Sequence, residues 1–313
     1  MKFVPQAFAR STIAREGDNG TRWLTQLPKL VAELLERWDC VPHGDLMYGG
    51  VGVVVRVRRP DLGDAVLKVS FPHPGNDYEP DAFAAWRGCG AVVLHERDYA
   101  QYAMVLERAH STTLATIADE DEIARVAGRL IKRLAIAGPP ELPRLQDQAD
   151  EWDERLLRDA DELPHGMSRR VVDAARETIR DLGRAQPKLL VHGDLHGRNI
   201  LRADREPWLA IDPKGCTGDP AYDAGTLLKT RALTLAATSS DPAKAVFRFL
   251  DIFTEAAELD RERVHRWSQL HAVQTAFWGR RHGFRRARSG PDLPHYINLA
   301  DHLATLLTEP SPL

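Results

Sequence analysis

The chain has 313 residues, with 42 Lys and Arg against 45 Asp and Glu, a formal charge of −3, and 43% apolar residues. At roughly 150 residues per domain this is about two domains with room for a large core. A chain so near neutral offers no net basic field, and no apolar run reaches the roughly 18 residues of a membrane span, so neither nucleic acid nor membrane is expected as a partner.

The elements, in chain order, begin with an N-terminal stretch that is charged at Lys2, Arg10, Arg15, Glu16 and Asp18 and lacks an apolar secretory core. A cytoplasmic protein is expected. Leu27 to Trp38 carries apolar residues at helical spacing. Gly49, Gly50 and Gly52 then run into a β-branched strand, and Ala65 to Val69 returns after a Pro- and Gly-marked turn. This predicts a glycine-headed hairpin with Lys68 on its second arm. A short helix from about 79 to 87 and two strand-like runs, 92–95 and 102–106, follow. From about Asp119 the pattern turns helical: Ile123, Val126, Ala127, Leu130, Ile131 and Leu134 form one apolar face. Further helices are expected at about 147–162 and 168–185, then a short strand at 189–191 and long helices through the C-terminal third. The reading is an α+β chain of two lobes, residues 1–107 with an antiparallel sheet and 108–313 mainly helical. Cys40, Cys89 and Cys216 lie far apart without CxxC spacing, so no disulfide framework or zinc site is expected.

The chemistry concentrates in Val191-His192-Gly193-Asp194-Leu195-His196-Gly197-Arg198-Asn199, followed by Trp208-Leu209-Ala210-Ile211-Asp212-Pro213. A carboxylate in a tight loop after a strand can take a proton from an incoming hydroxyl. An amide five residues later can bind a divalent cation through its oxygen, and a carboxylate beyond the next strand pair can ligate that cation across a hairpin. Mg²⁺ takes oxygen ligands, few of them from protein. One base, one amide and one metal carboxylate make half of a phosphoryl-transfer site.

His192-Gly193-Asp194-Leu195-His196 with Asn199 and Ile211-Asp212-Pro213 resembles the aminoglycoside phosphotransferases, small-molecule kinases of the protein-kinase-like fold. Trp208 to Gly215 with Gly218-Asp219-Pro220-Ala221-Tyr222-Asp223, and Ala65 to Pro72, are similar to the streptomycin 6-kinase and hydroxyurea phosphotransferase subgroup. The resemblance covers roughly residues 30 to 230. It implies a bilobal fold with ATP and Mg²⁺ as cofactors, and a monomer or weak dimer. Lys68 would contact the α- and β-phosphates, held by an acid on the following helix, with Glu79 first and Asp77 and Asp81 as rivals. Gly50 and its neighbours would let the backbone approach the phosphates, although they depart from a full GxGxxG. Leu106 and Arg108 match the hinge whose backbone groups would bond adenine. Asp194 would be the base, Asn199 and Asp212 would hold Mg²⁺, and Asp223 would brace the catalytic loop. Protein kinases place a lysine two residues after the aspartate; here that position is His196, leaving the developing charge to His196, Lys214 or the metal. His192 reads as a residue that fixes the loop.

The implied partner is a small antibiotic-like molecule with a hydroxyl. A streptomycin-type acceptor stands first; hydroxyurea, another antibiotic or a metabolic alcohol is the alternative, and a non-catalytic nucleotide-binding module is a third. A polycationic acceptor needs an acidic pocket. Asp147, Asp150, Glu151, Asp153 and Glu154 form one acidic stretch, and Glu255, Glu258, Asp260 and Glu262 another, each equally at home on solvated helix faces. Trp267, His271 and Trp278 form a stripe that a core face also fits. Arg280, Arg281 and His282 with Arg285, Arg286 and Arg288 are locally basic, as a phosphate-binding patch or a solvated helix end.

Overall fold

The computed structural model describes residues 4–284, 294 and 296–309. The chain divides into two packed units, the first running through Ala109 and the second beginning at His110. In the first unit, the β-branched hairpin is β3 (Gly52–Arg59) and β4 (Gly63–Ser70). Strands β1 (Val41–Pro42) and β2 (Met47–Tyr48) precede it, and β5 (Leu94–Asp98) and β6 (Ala103–Glu107) follow the helix α2 (Glu79–Trp86). All pair antiparallel in the order β1-β3-β4-β6-β5, with β2 also on β3. Period-two alternation splits the sheet into two faces. Val53, Val55 and Val57 pair with Val69, Leu67 and Ala65 on one face, and all six are buried. Val54, Lys68 and Met104, which pair across three strands, lie on the other.

Helix α1 (Gln6–Arg37) covers the valine face, through Phe8, Leu27, Val31 and Leu34. It begins 21 residues earlier than the helix expected from Leu27. Its first half is a separate helical stretch joined across Gly17 (φ 58°, ψ −132°), and its apolar anchors are sparse. Phe8 does most of the anchoring there, with its ring 5.6 Å from Tyr48 and 6.1 Å from Trp23.

The second unit is mainly helical. Helix α3 (Glu120–Leu134) starts where the apolar stripe predicts, because the Asp119 carboxylate accepts the N–H groups of Asp121 (2.9 Å) and Glu122 (3.2 Å) as an N-cap. Helices α4 (Ala149–Glu162) and α5 (Arg169–Thr178) follow, the latter running into one wide turn at Ile179–Gly183. Then come two small strand pairs. β7 (Leu189–Val191) pairs with β10 (Cys216–Gly218), and β8 (Ile200–Arg202) with β9 (Trp208–Ala210). Helices α6 (Pro220–Thr238), α7 (Pro242–Ala257), α8 (Arg261–His282) and α9 (Tyr296–Leu306) complete the unit. Its centre holds an aromatic cluster: Trp152 stacks on Tyr222 at 5.7 Å, and Trp267 and His271 meet Tyr222 edge-on. Among the described residues no helix is long and apolar enough to cross a membrane.

Candidate active site

Asp194 lies in the loop that leaves β7, and hydrogen bonds from within the loop and from α6 hold the backbone on both sides of it. His192 is fully buried; its Nε2–H donates to the Ile211 carbonyl (2.8 Å), and its Nδ1 accepts the Asp194 N–H (3.2 Å). Burial pushes its pKa down to about 4, so the ring is neutral and serves as a bridge between loops. Asp223 on α6 accepts the N–H groups of His192 (2.6 Å) and Gly193 (2.8 Å), one on each oxygen. Burial raises its pKa to about 7, against the pull of those two bonds. The brace expected of Asp223 is therefore present in the structure. Gly193 has φ +81°, and a Cβ there would stand 2.9 Å from Lys214 Cβ, so only glycine lets the loop press on the 214–216 segment.

Asn199 closes the loop. Its Nδ2 donates to the Asp194 carbonyl (3.0 Å), which directs its Oδ1 away from that bond as a free oxygen donor. Its own carbonyl accepts the Ile211 N–H (2.9 Å), and the Lys214 N–H donates to the His192 carbonyl (2.7 Å). These bonds bring Asp194, Asn199 and Asp212 into one knot. Asp212 takes the left-handed backbone conformation (φ 60°), a conformation uncommon outside glycine that collects at functional sites. Asp194 has its N–H and carbonyl both engaged, while among the described residues its half-buried carboxylate has no hydrogen bond or ion pair. His196 heads the short 3₁₀ turn at Gly197–Asn199; its Nδ1 is buried without a partner, and burial lowers its pKa. Asn199 Oδ1 and the Asp212 carboxylate are hard oxygen donors of the kind Mg²⁺ prefers, and two such ligands suit an ion that completes its shell with water and phosphate. Among the described residues no group of three or more His, Cys, Asp or Glu side chains is arranged to hold a metal.

In the first unit Lys68 meets Glu79 at 2.5 Å, with both side chains buried. The two rivals for Lys68 are engaged elsewhere: Asp77 accepts from the Tyr102 hydroxyl (2.8 Å) and Asp81 from the Tyr99 hydroxyl (2.6 Å). Gly50 is exposed in the β2–β3 turn, and its carbonyl accepts from Arg15 (2.9 Å). The hinge expectation changes in detail. Leu106 pairs with Val66 on one side and Leu94 on the other, so its backbone lies inside the sheet. Arg108 follows the strand end, and its guanidinium binds Asp64 (2.7 Å).

Several side chains given a possible acceptor role have structural partners instead. Trp267 and His271 belong to the buried cluster, whereas Trp278 is 56% exposed and lies against His282, so the stripe is not one face. Arg280 is nearly buried and bonds Asp301 (2.7 Å); Arg281 bonds Asp159 (2.7 Å) and Glu162 (2.8 Å). Arg280 and Arg281 are therefore taken up in ion pairs, Arg281 and His282 are exposed at the helix end, and Arg285, Arg286 and Arg288 lie outside the described residues. In the acidic stretches Asp150 pairs with Arg184, Asp153 with Arg176 and Glu258 with Lys132. One residue near Asp194 escaped the sequence reading: Lys229 on α6, whose charge acts on Asp194, His196 and His271. Nothing in a helical Lys-Thr-Arg marks it; only its place seven residues after Tyr222, on one helix face, could have done so.

A small antiparallel-sheet unit followed by a helical unit with its polar loop between short strand pairs is the architecture of the kinase-like phosphotransferases. A choline/ethanolamine kinase family protein from Mesorhizobium loti shares the fold with a TM-score of 0.58 at 17% identity, over 90% of this chain and 95% of its own. The macrolide 2'-phosphotransferase of Brachybacterium faecium does so with a TM-score of 0.52 at 17% identity, over 80% of this chain and 92% of its own. Residues 37–283 match the family described as aminoglycoside/hydroxyurea antibiotic resistance kinase, and the chain belongs to that family. It is 34% identical to the streptomycin 6-kinase of Streptomyces griseus, over 88% of this chain and 90% of that protein. It is 31% identical to the hydroxyurea phosphotransferase of Kitasatospora aureofaciens, over 88% and 79%. The chain is a phosphotransferase, which sets aside the reading as a non-catalytic module.

Proposed function

We propose that the chain transfers the γ-phosphate of ATP to a hydroxyl of an aminoglycoside or aminocyclitol antibiotic, with a streptomycin-type acceptor first. The observation that carries this is Asp194: a carboxylate without a partner among the described residues, on a loop pinned at both main-chain groups. A general base needs this combination of fixed position and free lone pairs. Asp194 orients the acceptor hydroxyl and takes its proton. Asn199 Oδ1 and Asp212 would hold Mg²⁺, which when bound offsets phosphate charge. His192 and Asp223 keep the loop in place, and Lys68, held by Glu79, would bind the nucleotide phosphates. Gly50 and the backbone near Arg108 would line the nucleotide, with Leu106 acting as sheet support.

A second acceptor class is favoured by one observation. Among the nine acids of the two stretches that a polycation could use, Asp150, Asp153 and Glu258 are already in ion pairs. A small neutral acceptor such as hydroxyurea makes no such demand. ADP release from Mg-ATP over a panel of streptomycin, hydroxyurea and simple alcohols tests both. Streptomycin-dependent turnover, lowered about 10²–10⁴-fold by Asp194→Ala at unchanged thermal stability, is the expected result. Turnover with hydroxyurea alone would replace the first acceptor by the second, and full activity of the variant would remove Asp194 from the chemistry.

A further inference from the structure

Helix α1 doubles back on itself. On a straight helix Phe8 and Trp23 would stand about 22 Å apart; their ring centroids are 6.1 Å apart. A Cβ on Gly20 would meet the Thr12 carbonyl oxygen at 2.9 Å, a contact that an unbroken helix does not allow. The reversal falls at Gly17, whose φ of 58° with ψ of −132° is a combination that side chains resist. Residues 6–16 therefore lie back against residues 18–37, and almost all of α1 precedes the family-matched residues.

The returning segment meets the turn between β2 and β3. Phe8 is fully buried, with its ring 5.6 Å from that of Tyr48, the last residue of β2. Arg15 donates from Nη1 to the Gly50 carbonyl (2.9 Å), while its Nε–H donates to the Glu16 carboxylate. Within the turn the Gly49 N–H donates to the Gly52 carbonyl (2.9 Å), and the Phe71 N–H donates to the Val51 carbonyl (2.8 Å). Two backbone donors remain: among the described residues neither the Gly50 N–H nor the Val51 N–H has a partner. The Gly50–Val51 peptide is trans, and a planar trans unit directs its C=O and its N–H oppositely. Holding the Gly50 carbonyl toward Arg15 therefore directs the Val51 N–H away from α1. Helix α1 covers the valine face of the sheet, and Lys68 lies on the other face.

We propose that Arg15 is a positioning residue for the nucleotide: by holding the Gly50 carbonyl it presents the Val51 N–H to a phosphate oxygen on the Lys68 side. Free backbone N–H groups in a turn are a ready anion site. The inference rests on the reading of the Gly50 turn as the one that approaches the phosphates. Arg15 itself touches no phosphate, and its effect passes through the peptide that it holds. The helical reversal at Gly17 is what carries Arg15 to that peptide.

The test uses the whole chain with Arg15→Ala, and adenosine, which lacks phosphate, as the control ligand. Three readouts are taken: the melting temperature without ligand, the affinity for Mg-ATP at low and at high ionic strength, and the affinity for adenosine. The lost bond is exposed, so the melting temperature should move by no more than about 2 °C. Mg-ATP affinity should fall about three- to tenfold, as for one hydrogen bond loosened, with adenosine affinity unchanged within about twofold. The fall should persist at high ionic strength, where attraction between exposed charges is screened. Mg-ATP affinity equal to that of the unaltered chain overturns the inference. So do equal losses for Mg-ATP and adenosine, which mark a general loosening of the unit. A loss that disappears at high ionic strength assigns Arg15 to attraction at a distance and likewise overturns it. If the unaltered chain binds Mg-ATP no more tightly than adenosine, the phosphate reading of the turn fails, and the inference falls with it.

Discussion

Lys68 and Glu79 make a buried pair 2.5 Å apart, and a buried pair behaves differently from a surface one. Breaking it by removing one partner leaves an uncompensated charge, at about 3–5 kcal/mol, whereas replacing both by apolar groups is often neutral. Lys68→Met should therefore destabilise the chain by about 3–5 kcal/mol in urea denaturation, and Lys68→Met with Glu79→Leu should recover most of that loss. Nucleotide affinity should not recover, because the ammonium proposed to bind the phosphates is gone. Recovery of nucleotide affinity together with stability would show that the pair acts only in the fold. The resemblance put Glu79 first, but the choice over Asp77 and Asp81 needed the hydroxyls of Tyr102 and Tyr99, which no linear pattern reveals. The same holds around the Asp194 loop. That Asp194, Asn199 and Asp223 meet at one loop, with Asp212 just after it, was legible because the loop is one short segment followed by a hairpin and a helix start. Lys229 was not, because only the return of α6 past that loop brings it near Asp194.

Elements whose burial follows a regular period were legible; those held by a few distant anchors were not. The α3 helix starts at Asp119 where the apolar stripe puts it, and the β-branched run forms the β3–β4 hairpin as read. The first half of α1 has Phe8 as its main buried anchor, so no period betrays it. Trp267, His271 and Trp278 show the converse: spacing alone made a stripe, while packing against Tyr222 buries two and leaves the third exposed. Helix-to-helix contact also depends on small residues whose role is invisible in sequence. Gly128 on α3 lies so close to α7 that a Cβ would stand 2.6 Å from the Phe253 carbonyl and 2.9 Å from Ala256 Cβ. Backbone on the facing helix cannot give way as a side-chain tip can. Gly128→Ala should destabilise the second unit by about 1–3 kcal/mol despite the better helix propensity of alanine. Chemical denaturation followed by Trp fluorescence measures it, and a stability gain would mean that the two helices separate without loss.

Across the whole molecule, burial acts on histidines in one direction. His95, His192, His196, His265 and His271 all have their pKa lowered by desolvation, His192 to about 4. An unfolded chain would protonate them near 6.5. Between those values the unfolded state holds a proton that folded His192 refuses, and the other four act in the same direction, so this stability is full above about pH 6.5 and is lost as pH falls below it. Asp223 works against them: with a folded pKa of about 7 and an unfolded value near 3.8, it keeps a proton in the folded state through the same window, and acidification favours folding there. One carboxyl opposes five imidazoles, so the histidines decide the sign. The melting temperature should fall between pH 7.5 and pH 5.0. His271→Gln sharpens the test, because the ring is buried against Tyr222 and its shift is among the strongest. The variant loses packing and should melt earlier at pH 7.5, yet its decline toward pH 5.0 should be shallower by up to one proton, about 1.4 kcal/mol per pH unit. An equal slope in both proteins would mean that His271 takes up its proton without unfolding, and that the aromatic cluster around it admits charge.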